Sequence, residues 1–189
     1  MGLGKFSPDK QELSAAGGQP GALHLLNKSY VFDLLVILIC LMSSGCSWIE
    51  SMVNLDSFDW GFMYGPAMDL KNGAIPYSET FICYGYLTTW IQSISLAVFG
   101  ERLMSLGIMT GVFYSLSLFL CYRIFLKFMP RSLAFIAVLL IFLIHPYMIY
   151  PASNYFVYTF QLLALVFFLK YSESRYNGFL AGFFLSLSL

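Results

Sequence analysis

The pattern of apolar and polar positions divides the chain into long hydrophobic runs separated by short polar segments. A helix that crosses a membrane needs about 20 predominantly apolar residues. Four runs approach or reach this length, and they predict membrane spans at residues 30–49, 103–126, 133–150 and 155–171. A fifth run, residues 176–189, stops before it is long enough to cross, so we expect an N-terminal fragment of a longer protein, inactive by itself.

Composition places the chain among membrane proteins. Hydrophobic residues make up 59% of the 189 residues and charged residues 11%, whereas a soluble globular domain carries about 25% charged residues. A chain this poor in charge cannot cover itself with a hydrated surface. Its formal net charge is zero, which provides no general attraction to nucleic acid or to anionic lipid. We therefore predict an all-α, multi-span transmembrane helical bundle that does not bind nucleic acid.

The cysteines do not indicate a disulfide or a metal site. Cys40, Cys46, Cys83 and Cys121 show no C-x-x-C spacing, and three of the four lie in or beside apolar runs. Cysteines in such surroundings pack as small hydrophobic residues. We interpret these four in that way.

Lysine and arginine positions predict the orientation in the membrane. Residues 1–29 are polar and lack the order of regions of a cleaved signal peptide, so we expect a flexible cytoplasmic tail. With that tail inside, eight basic residues fall on the cytoplasmic side and two, Lys71 and Arg102, fall outside, as the positive-inside rule requires. We expect a multi-pass protein of the plasma or inner membrane with residues 50–102 as its first external loop. Asp33 is interpreted as an acid that reaches the interface.

The first half of this external loop is predicted to form a helix that lies on the membrane surface, over residues 59–72. Three apolar residues recur there at roughly helical spacing: Phe62, Ala67 and Leu70. Gly65-Pro66 is expected to divide the helix into two turns. Gly73 is expected to end it, because glycine is favoured just past a helix end.

The second half of the loop is predicted to contain an extended segment and a second surface helix. Residues 74–81 are expected to be extended, because the residue before Pro76 is disfavoured in the helical region. Residues 86–100 are apolar but too few to span the bilayer. Since residues 103–126 must return to the cytoplasm, residues 86–100 are expected to lie along the outer leaflet. The long first external loop thus contains two interfacial helices.

Carboxylates are the concentrated reactive groups of the loop, and Asp56 and Asp59 lie at the start of its first helix. Three interpretations are open for them. A carboxylate beside a low-dielectric membrane can act as a general base, and acids at this spacing can hold a divalent cation. Alternatively, the two residues cap the helix N-terminus. His145, at the external end of the third span, is interpreted as an interfacial cap.

The residues that follow these two acids form a recognisable series of motifs. After the acidic helix start come L-x-x-G-x-x-P-Y, an aromatic Y-G segment, and an apolar helix that ends in F-G before a charged pair and a long span. The residues concerned are Asp59, Ala67, Leu70, Gly73, Pro76, Tyr77, Tyr84, Gly85, Phe99, Gly100 and Arg102. This order resembles the GT-C superfamily of integral-membrane glycosyltransferases, dolichyl-phosphate-mannose mannosyltransferases among them, over nearly the whole chain beyond residue 30.

The resemblance implies a function. Enzymes of this superfamily take a sugar from a polyprenyl-phosphate carrier and transfer it to a lipid, glycan or protein acceptor on the external or lumenal side. An aspartate of the first external loop is their expected catalytic residue, and it deprotonates the acceptor hydroxyl. Asp59 matches that position best, Asp56 is the second candidate, and Glu50 is the third because it adjoins the first span.

The resemblance also suggests substrate contacts in the same loop. Arg102 is a candidate to face the carrier phosphate, since a guanidinium group pairs well with phosphate oxygens. The alternative is an interfacial anchor formed with Glu101. The candidates to line a sugar or acceptor groove are Tyr77, Glu79, Tyr84 and Trp90. Aromatic residues in such a place are equally well explained as membrane-interface residues.

Metal dependence and two other function classes are left open. The next external loop, PASN at residues 151–154, has no acidic residue, whereas superfamily members often place a second acid there or nearby. No cofactor is therefore assigned, and a divalent metal, Mg²⁺ or Mn²⁺, is kept as an open alternative. The chain is alternatively a multi-span transporter or flippase, or a non-catalytic membrane protein of cell-envelope glycan assembly. Coupled transport usually needs ionisable residues at mid-membrane, and the spans hold almost none.

Overall fold

The computed structural model describes residues 21–53, 57–144, 153–171 and 174–188, with side chains from Tyr30 onward except those of residues 57–59 and 153. Within these ranges the chain is helical and has no strand. The helices are α1 (Gly21–Val53), α2 (Ser57–Lys71), α3 (Tyr86–Phe99), α4 (Leu103–Phe125), α5 (Arg131–Ile144), α6 (Ser153–Leu169) and α7 (Arg175–Leu187). The all-α prediction is confirmed for the described residues.

Two helices are long and apolar enough to cross a membrane. They are the Tyr30–Val53 part of α1, with 24 residues, and α4, with 23 residues. They coincide with the spans predicted at residues 30–49 and 103–126, although α1 begins earlier, at Gly21. The later apolar helices are shorter, with 14 residues in α5 and 17 in α6. The third predicted span extends to residue 150, and its part beyond Ile144 lies outside the described residues, as does His145.

α1 and α4 pack closely along rows of small side chains. Ser43, Ser47 and Ser51 of α1 are spaced four residues apart, and so are the three residues of α4 that oppose this face, Gly107, Gly111 and Ser115. Residues four apart lie on the same face of a helix, so each row is continuous. A Cβ atom placed on Gly111 would lie 2.9 Å from the Ser44 Cα atom. The two backbones therefore approach at a distance that only a residue without a side chain permits.

Serine hydroxyls hold this helix pair by hydrogen bonds to backbone carbonyls of the opposite helix. Ser47 Oγ donates to the Gly107 carbonyl at 2.9 Å, and Ser44 Oγ donates to the Gly111 carbonyl at 3.2 Å. In the reverse direction, Ser115 Oγ donates to the Cys40 carbonyl at 2.6 Å. Small residues and interhelical hydrogen bonds are the usual means of joining helices in a bilayer, where apolar side chains gain nothing by leaving lipid.

At the opposite end of the pair, Asp33 joins three helices. Its Oδ1 atom accepts a hydrogen bond from the Tyr122 hydroxyl of α4 at 2.5 Å, and its Oδ2 atom pairs with Arg131 of α5 at 2.7 Å. The Arg131 side chain is partly exposed. The acid near the start of the first apolar run is thus paired with residues at the end of α4 and the start of α5 rather than placed deep in the bundle.

Of the later helices, α5 packs on both α1 and α4, and α6 packs on α4. Thr159 of α6 hydrogen-bonds to Ser117 at 2.7 Å and to the Phe113 carbonyl at 2.9 Å. α7 packs on α6 through the stacked rings of Phe167 and Phe184, whose centroids are 5.5 Å apart. The main core cluster draws buried side chains from α1, α4, α5 and α6. α2 and α3 form a second, smaller cluster with the beginning of α4.

Replacing Gly111 by alanine tests the close contact of α1 and α4. The added methyl group would press on backbone atoms of Ser44, so we expect the free energy of unfolding to fall by about 1–3 kcal/mol. Gly45→Ala is the matched control, because its Cβ meets open space and should leave stability unchanged or slightly higher. Denaturant-induced unfolding in detergent micelles measures both variants. Equal stabilities would contradict the close approach at Gly111.

Candidate functional site

The segment between the two long apolar helices is ordered over residues 57–102, which we call the α2–α3 unit. α2 continues through Pro66, so the predicted break at Gly65-Pro66 is wrong. Proline removes one backbone hydrogen bond and does not by itself end a helix whose side chains are packed. The prediction of two helices within this loop is confirmed by α2 and α3.

One face of α2 is buried against α3 and α4. The buried residues are Trp60, Met63 and Ala67, and they pack with Leu96 of α3 and Leu106 of α4. Their spacing of three and four residues is that of a helix face. The predicted face, Phe62, Ala67 and Leu70, is correct for Ala67 only, because Phe62 and Leu70 are half-buried. The helix is therefore rotated relative to the prediction, with the large indole ring of Trp60 at the centre of its contact.

The start of α4 is also joined to α2 by polar contacts. The Tyr64 hydroxyl donates to the Glu101 carbonyl at 3.2 Å, and Lys71 forms an ion pair with the Glu101 carboxylate. Glu101 precedes Arg102, the residue just before α4. These contacts hold the Glu101–Arg102 peptide beside the middle of α2. Lys71 is thus the ion-pair partner of Glu101, and the interfacial anchor stays a prediction.

A closed turn, rather than an extended segment, follows α2. α2 ends before Gly73, whose φ of +92° suits glycine, as predicted. Beyond it, the Tyr77 N–H donates to the Thr80 carbonyl at 3.1 Å, and the Glu79 N–H donates to the Ile75 carbonyl at 2.9 Å. The extended prediction for residues 74–81 is therefore wrong over this turn, because local hydrogen bonds fold the chain back after Pro76.

Glu79 and Thr80 fix the turn in different ways. The Glu79 Oε2 atom accepts a hydrogen bond from the Ile75 N–H at 2.8 Å, so this carboxylate closes its own turn. The Thr80 hydroxyl donates to Asp69 Oδ2 of α2 at 2.8 Å, which joins the turn to the helix. Glu79 was predicted to contact substrate, and in the structure its bond to Ile75 gives it a role in positioning the turn.

A shallow cavity of about 290 Å³ lies between α2 and this turn, and we call it the α2 groove. Its lining residues are Gly61, Phe62, Gly65, Pro66, Asp69, Thr80 and Phe81. Gly61, Gly65 and Asp69 are spaced four residues apart, so they follow one side of α2. The two glycines make the groove concave because they place no side chain in it. Sequence reasoning missed this groove, although the G-x-x-x-G-x-x-x-D spacing was visible.

The predicted catalytic residues lie toward the other end of α2. Asp56 lies outside the described residues, and Asp59 lies in the first turn of α2, with only its backbone described. Asp59 and Asp69 are ten residues apart, which corresponds to about 15 Å along a helix. Because Gly61 and Phe62 line the groove, the groove extends from Asp69 to within one helical turn of Asp59.

None of the predicted substrate residues is among those that line this groove. Tyr77 is exposed and has a φ of +62°, the left-handed region that is costly for a residue with a Cβ atom. Tyr84 contacts Phe62 edge to face, with ring centroids 5.9 Å apart. Arg102 is exposed, and no ion pair with it is found in the part of the chain that the structure describes.

Exposed aromatic residues continue along the turn and into α3. They are Tyr77, Phe81, Tyr84, Tyr86 and Trp90, each at least 44% exposed. So many exposed rings in one short segment need an apolar or flat partner, since water solvates them poorly. Membrane headgroups and the faces of sugar rings both meet this need.

The described residues contain no group of three or more His, Cys, Asp or Glu side chains that could hold a metal ion. Asp56 and the Asp59 side chain lie outside the described residues, and a divalent metal at these two acids stays a prediction.

Comparisons of the chain with protein-family models, with curated proteins and with solved structures found no match.

Tyr77→Gly tests whether the left-handed backbone at this position is strained. Glycine adopts this φ freely, so we expect the free energy of unfolding to rise by about 1 kcal/mol. Ser78→Gly, next along the turn and outside the positive-φ region, is the control and should lower the same quantity. Both are measured by thermal unfolding in detergent. Stability of Tyr77→Gly at or below that of Ser78→Gly would contradict the prediction.

Proposed function

We propose that this chain is a membrane glycosyltransferase of the GT-C type, which transfers a sugar from a polyprenyl-phosphate carrier to a lipid, glycan or protein acceptor on the external face. The observation that carries the proposal is the α2–α3 unit itself. Between two membrane-length helices, residues 57–102 form two short packed helices, an ordered turn and a groove along α2. The GT-C resemblance predicts the helices of this unit, with the acidic residue at the start of the first one.

The proposed membrane arrangement places this unit at the external surface. α1 and α4 run antiparallel, since Ser51 near the end of α1 meets Gly107 near the start of α4, and Asp33 meets Tyr122. The α2–α3 unit is therefore at one end of the pair. The Asp33 contacts are at the other end, beside the basic residues that favour the cytoplasm. In the proposal, α5, α6 and α7 add further crossings in a plasma or inner membrane.

The proposed reaction displaces a phosphate from the anomeric carbon of the sugar. Asp59 removes the proton from the acceptor hydroxyl, the acceptor oxygen bonds to the anomeric carbon, and the bond from that carbon to the phosphate oxygen breaks. Polyprenyl phosphate leaves with the electron pair of the broken bond. Asp56 is the second candidate for the base. No step is assigned to a divalent metal, which stays an open alternative at these two acids.

Arg102 is proposed to face the carrier phosphate. The contacts of Glu101 with Tyr64 and Lys71 hold the Arg102 backbone beside α2. An exposed guanidinium group at the beginning of α4 adds to the partial positive charge of the helix N-terminus, and both favour a phosphate. In the proposed membrane placement, apolar side chains of α4 that follow Arg102 face the bilayer, where the polyprenyl chain would lie.

The α2 groove is proposed to receive the sugar or acceptor. Its concave floor at Gly61 and Gly65, its exposed ring at Phe81 and its polar end at Asp69 offer apolar and hydrogen-bonding surface together. Sugars present both kinds of surface. Tyr77 and Tyr84 lie at the turn beside it and are proposed to contribute further aromatic contacts.

Asp59→Asn tests the assigned base. We expect sugar transfer from a radiolabelled polyprenyl-phosphate donor, measured in membranes that contain the full-length protein, to fall by roughly 10²–10⁴-fold, the usual contribution of general base catalysis. Asp9→Asn, the same substitution in the N-terminal tail and outside the proposed site, is the control and should retain the parent rate. Transfer by Asp59→Asn at the parent rate would overturn the assignment, and loss of transfer in Asp56→Asn alone would move it to Asp56.

Gly65→Leu tests the groove. A Cβ atom at Gly65 meets open space, so the leucine should fit on the folded protein and fill the cavity. We expect a raised KM for the acceptor or donor and unchanged thermal unfolding. Gly182→Leu in α7, where a Cβ atom also meets open space, is the control and should retain the parent KM. An unchanged KM in Gly65→Leu would remove the groove from the substrate site.

A further inference from the structure

The exposed residues of α6 form a regular row, which we call the α6 stripe. Its members are Asn154, Tyr158, Gln161, Leu165 and Phe168. Their separations are four, three, four and three residues, a repeat of 3.5. Residues at these separations lie on one face of a helix, so the row is continuous and a second helix can contact it along its length. The opposite side of α6, with Phe156 and Thr159, is already buried on α4.

Gln161 is the central residue of the stripe and the middle residue of α6. It is exposed, and no hydrogen bond to its side chain is found within the described ranges. It lies eight residues from Ser153, which corresponds to about 12 Å along the helix. In the membrane placement proposed above, this is near the centre of a hydrocarbon core of about 30 Å. A carboxamide there has two donors and an acceptor oxygen to satisfy, and lipid tails offer none.

A groove beside the stripe provides room for a partner. α5 and α6 both pack on α4, and a cavity of about 510 Å³ separates them. Ser117 and Cys121 of α4 are among the residues of its floor, Ile141 of α5 forms one wall, and Gln161 and Leu165 belong to the other. The surface that contains the amide is thus concave and mostly apolar, as expected for a surface that receives the side chains of another helix.

We propose that this surface is the interface of a homodimer, in which α6 packs in parallel against α6 of a second copy. Copies inserted with the same orientation are related by a two-fold axis along the membrane normal. Residues near that axis therefore meet their own counterparts. A surface near the axis must therefore be complementary to itself. The Gln161 carboxamide meets this requirement, because it both donates and accepts hydrogen bonds. The inference relies on the membrane placement proposed above and is independent of the glycosyltransferase chemistry.

A second copy of α6 is a better partner for this surface than a lipid chain, because it can form hydrogen bonds with the Gln161 carboxamide. A lipid acyl chain or a polyprenyl chain would fill apolar volume and leave the Gln161 carboxamide without a hydrogen-bond partner at the membrane centre. Hydrogen-bonding groups of lipids lie at the two surfaces. A second α6 supplies both an amide at the same depth and a row of side chains with the same spacing.

Cross-linking of the full chain in lipid bilayers tests the geometry. Leu165 is one helical turn from Gln161 on the stripe, so Leu165→Cys should form a disulfide-linked dimer under mild oxidation. Val112→Cys is the control, because Val112 is similarly exposed, at 49%, on α4 and does not line the groove. Both variants retain the native cysteines, so the parent chain measures their background. Equal cross-linking of the two variants would overturn the parallel α6 interface.

Energy transfer between labelled copies in liposomes tests the role of the amide. We expect Gln161→Leu to weaken dimerisation by roughly threefold to thirtyfold, the range for an interhelical hydrogen bond in a membrane. Gln161→Asn keeps a carboxamide and should weaken dimerisation less. Unchanged thermal unfolding should show that Gln161→Leu is folded. Three outcomes would overturn the proposal: a monomeric parent at every protein-to-lipid ratio, parent-like dimerisation of Gln161→Leu, or a monomer whose groove holds a co-purified lipid that Gln161→Leu loses. Sugar transfer by the monomeric variant would leave the proposed function intact.

Discussion

The close approach of α1 and α4 is the contact on which the other features of the chain depend. Gly107 and Gly111 have no side chain, so their backbone lies directly against the serines of α1. The serine hydroxyls donate hydrogen bonds to the carbonyl oxygens of these glycines. Because this pair fixes the end of α1 beside the start of α4, it also fixes both attachment points of residues 57–102. α5 and α6 then pack on α4 rather than on one another. If α1 and α4 packed less closely, the two ends of the α2–α3 unit would not be held at fixed positions.

The α2–α3 unit is more ordered than a connection between two helices requires. Trp60 is fully buried, Tyr64 and Lys71 hold the start of α4, and Thr80 joins the turn to Asp69. In contrast, the aromatic rings of the turn face outward, and Tyr77 occupies a costly backbone conformation. Backbone strain combined with an exposed ring is a feature of positions selected for what the side chain contacts, rather than for stability. This combination supports a binding role for the turn.

Length and hydropathy were sufficient to predict the two long helices and the two short ones between them. Both signals are local, since an apolar run of about 20 residues or a glycine after a helical segment acts through neighbouring residues. The break at Pro66 and the buried face of α2 were mispredicted because tertiary contacts decide them. The extended segment after Gly73 was mispredicted because local hydrogen bonds close a turn there. Trp60 selects the face of α2, and Thr80 reaches Asp69 across the groove. The groove itself arises between two elements, so no single segment indicates it.

The repeat of small residues at the α1–α4 contact has a consequence for the helix register. Since serines and glycines recur every four residues on the two helices, sliding one helix past the other by a turn of 5.4 Å would again place small residues opposite small residues. Steric fit alone therefore permits neighbouring registers. The bonds from Asp33 to Tyr122 and Arg131 form at a single register. A charge at one end of the pair thus selects the alignment that the α2–α3 unit uses at the other.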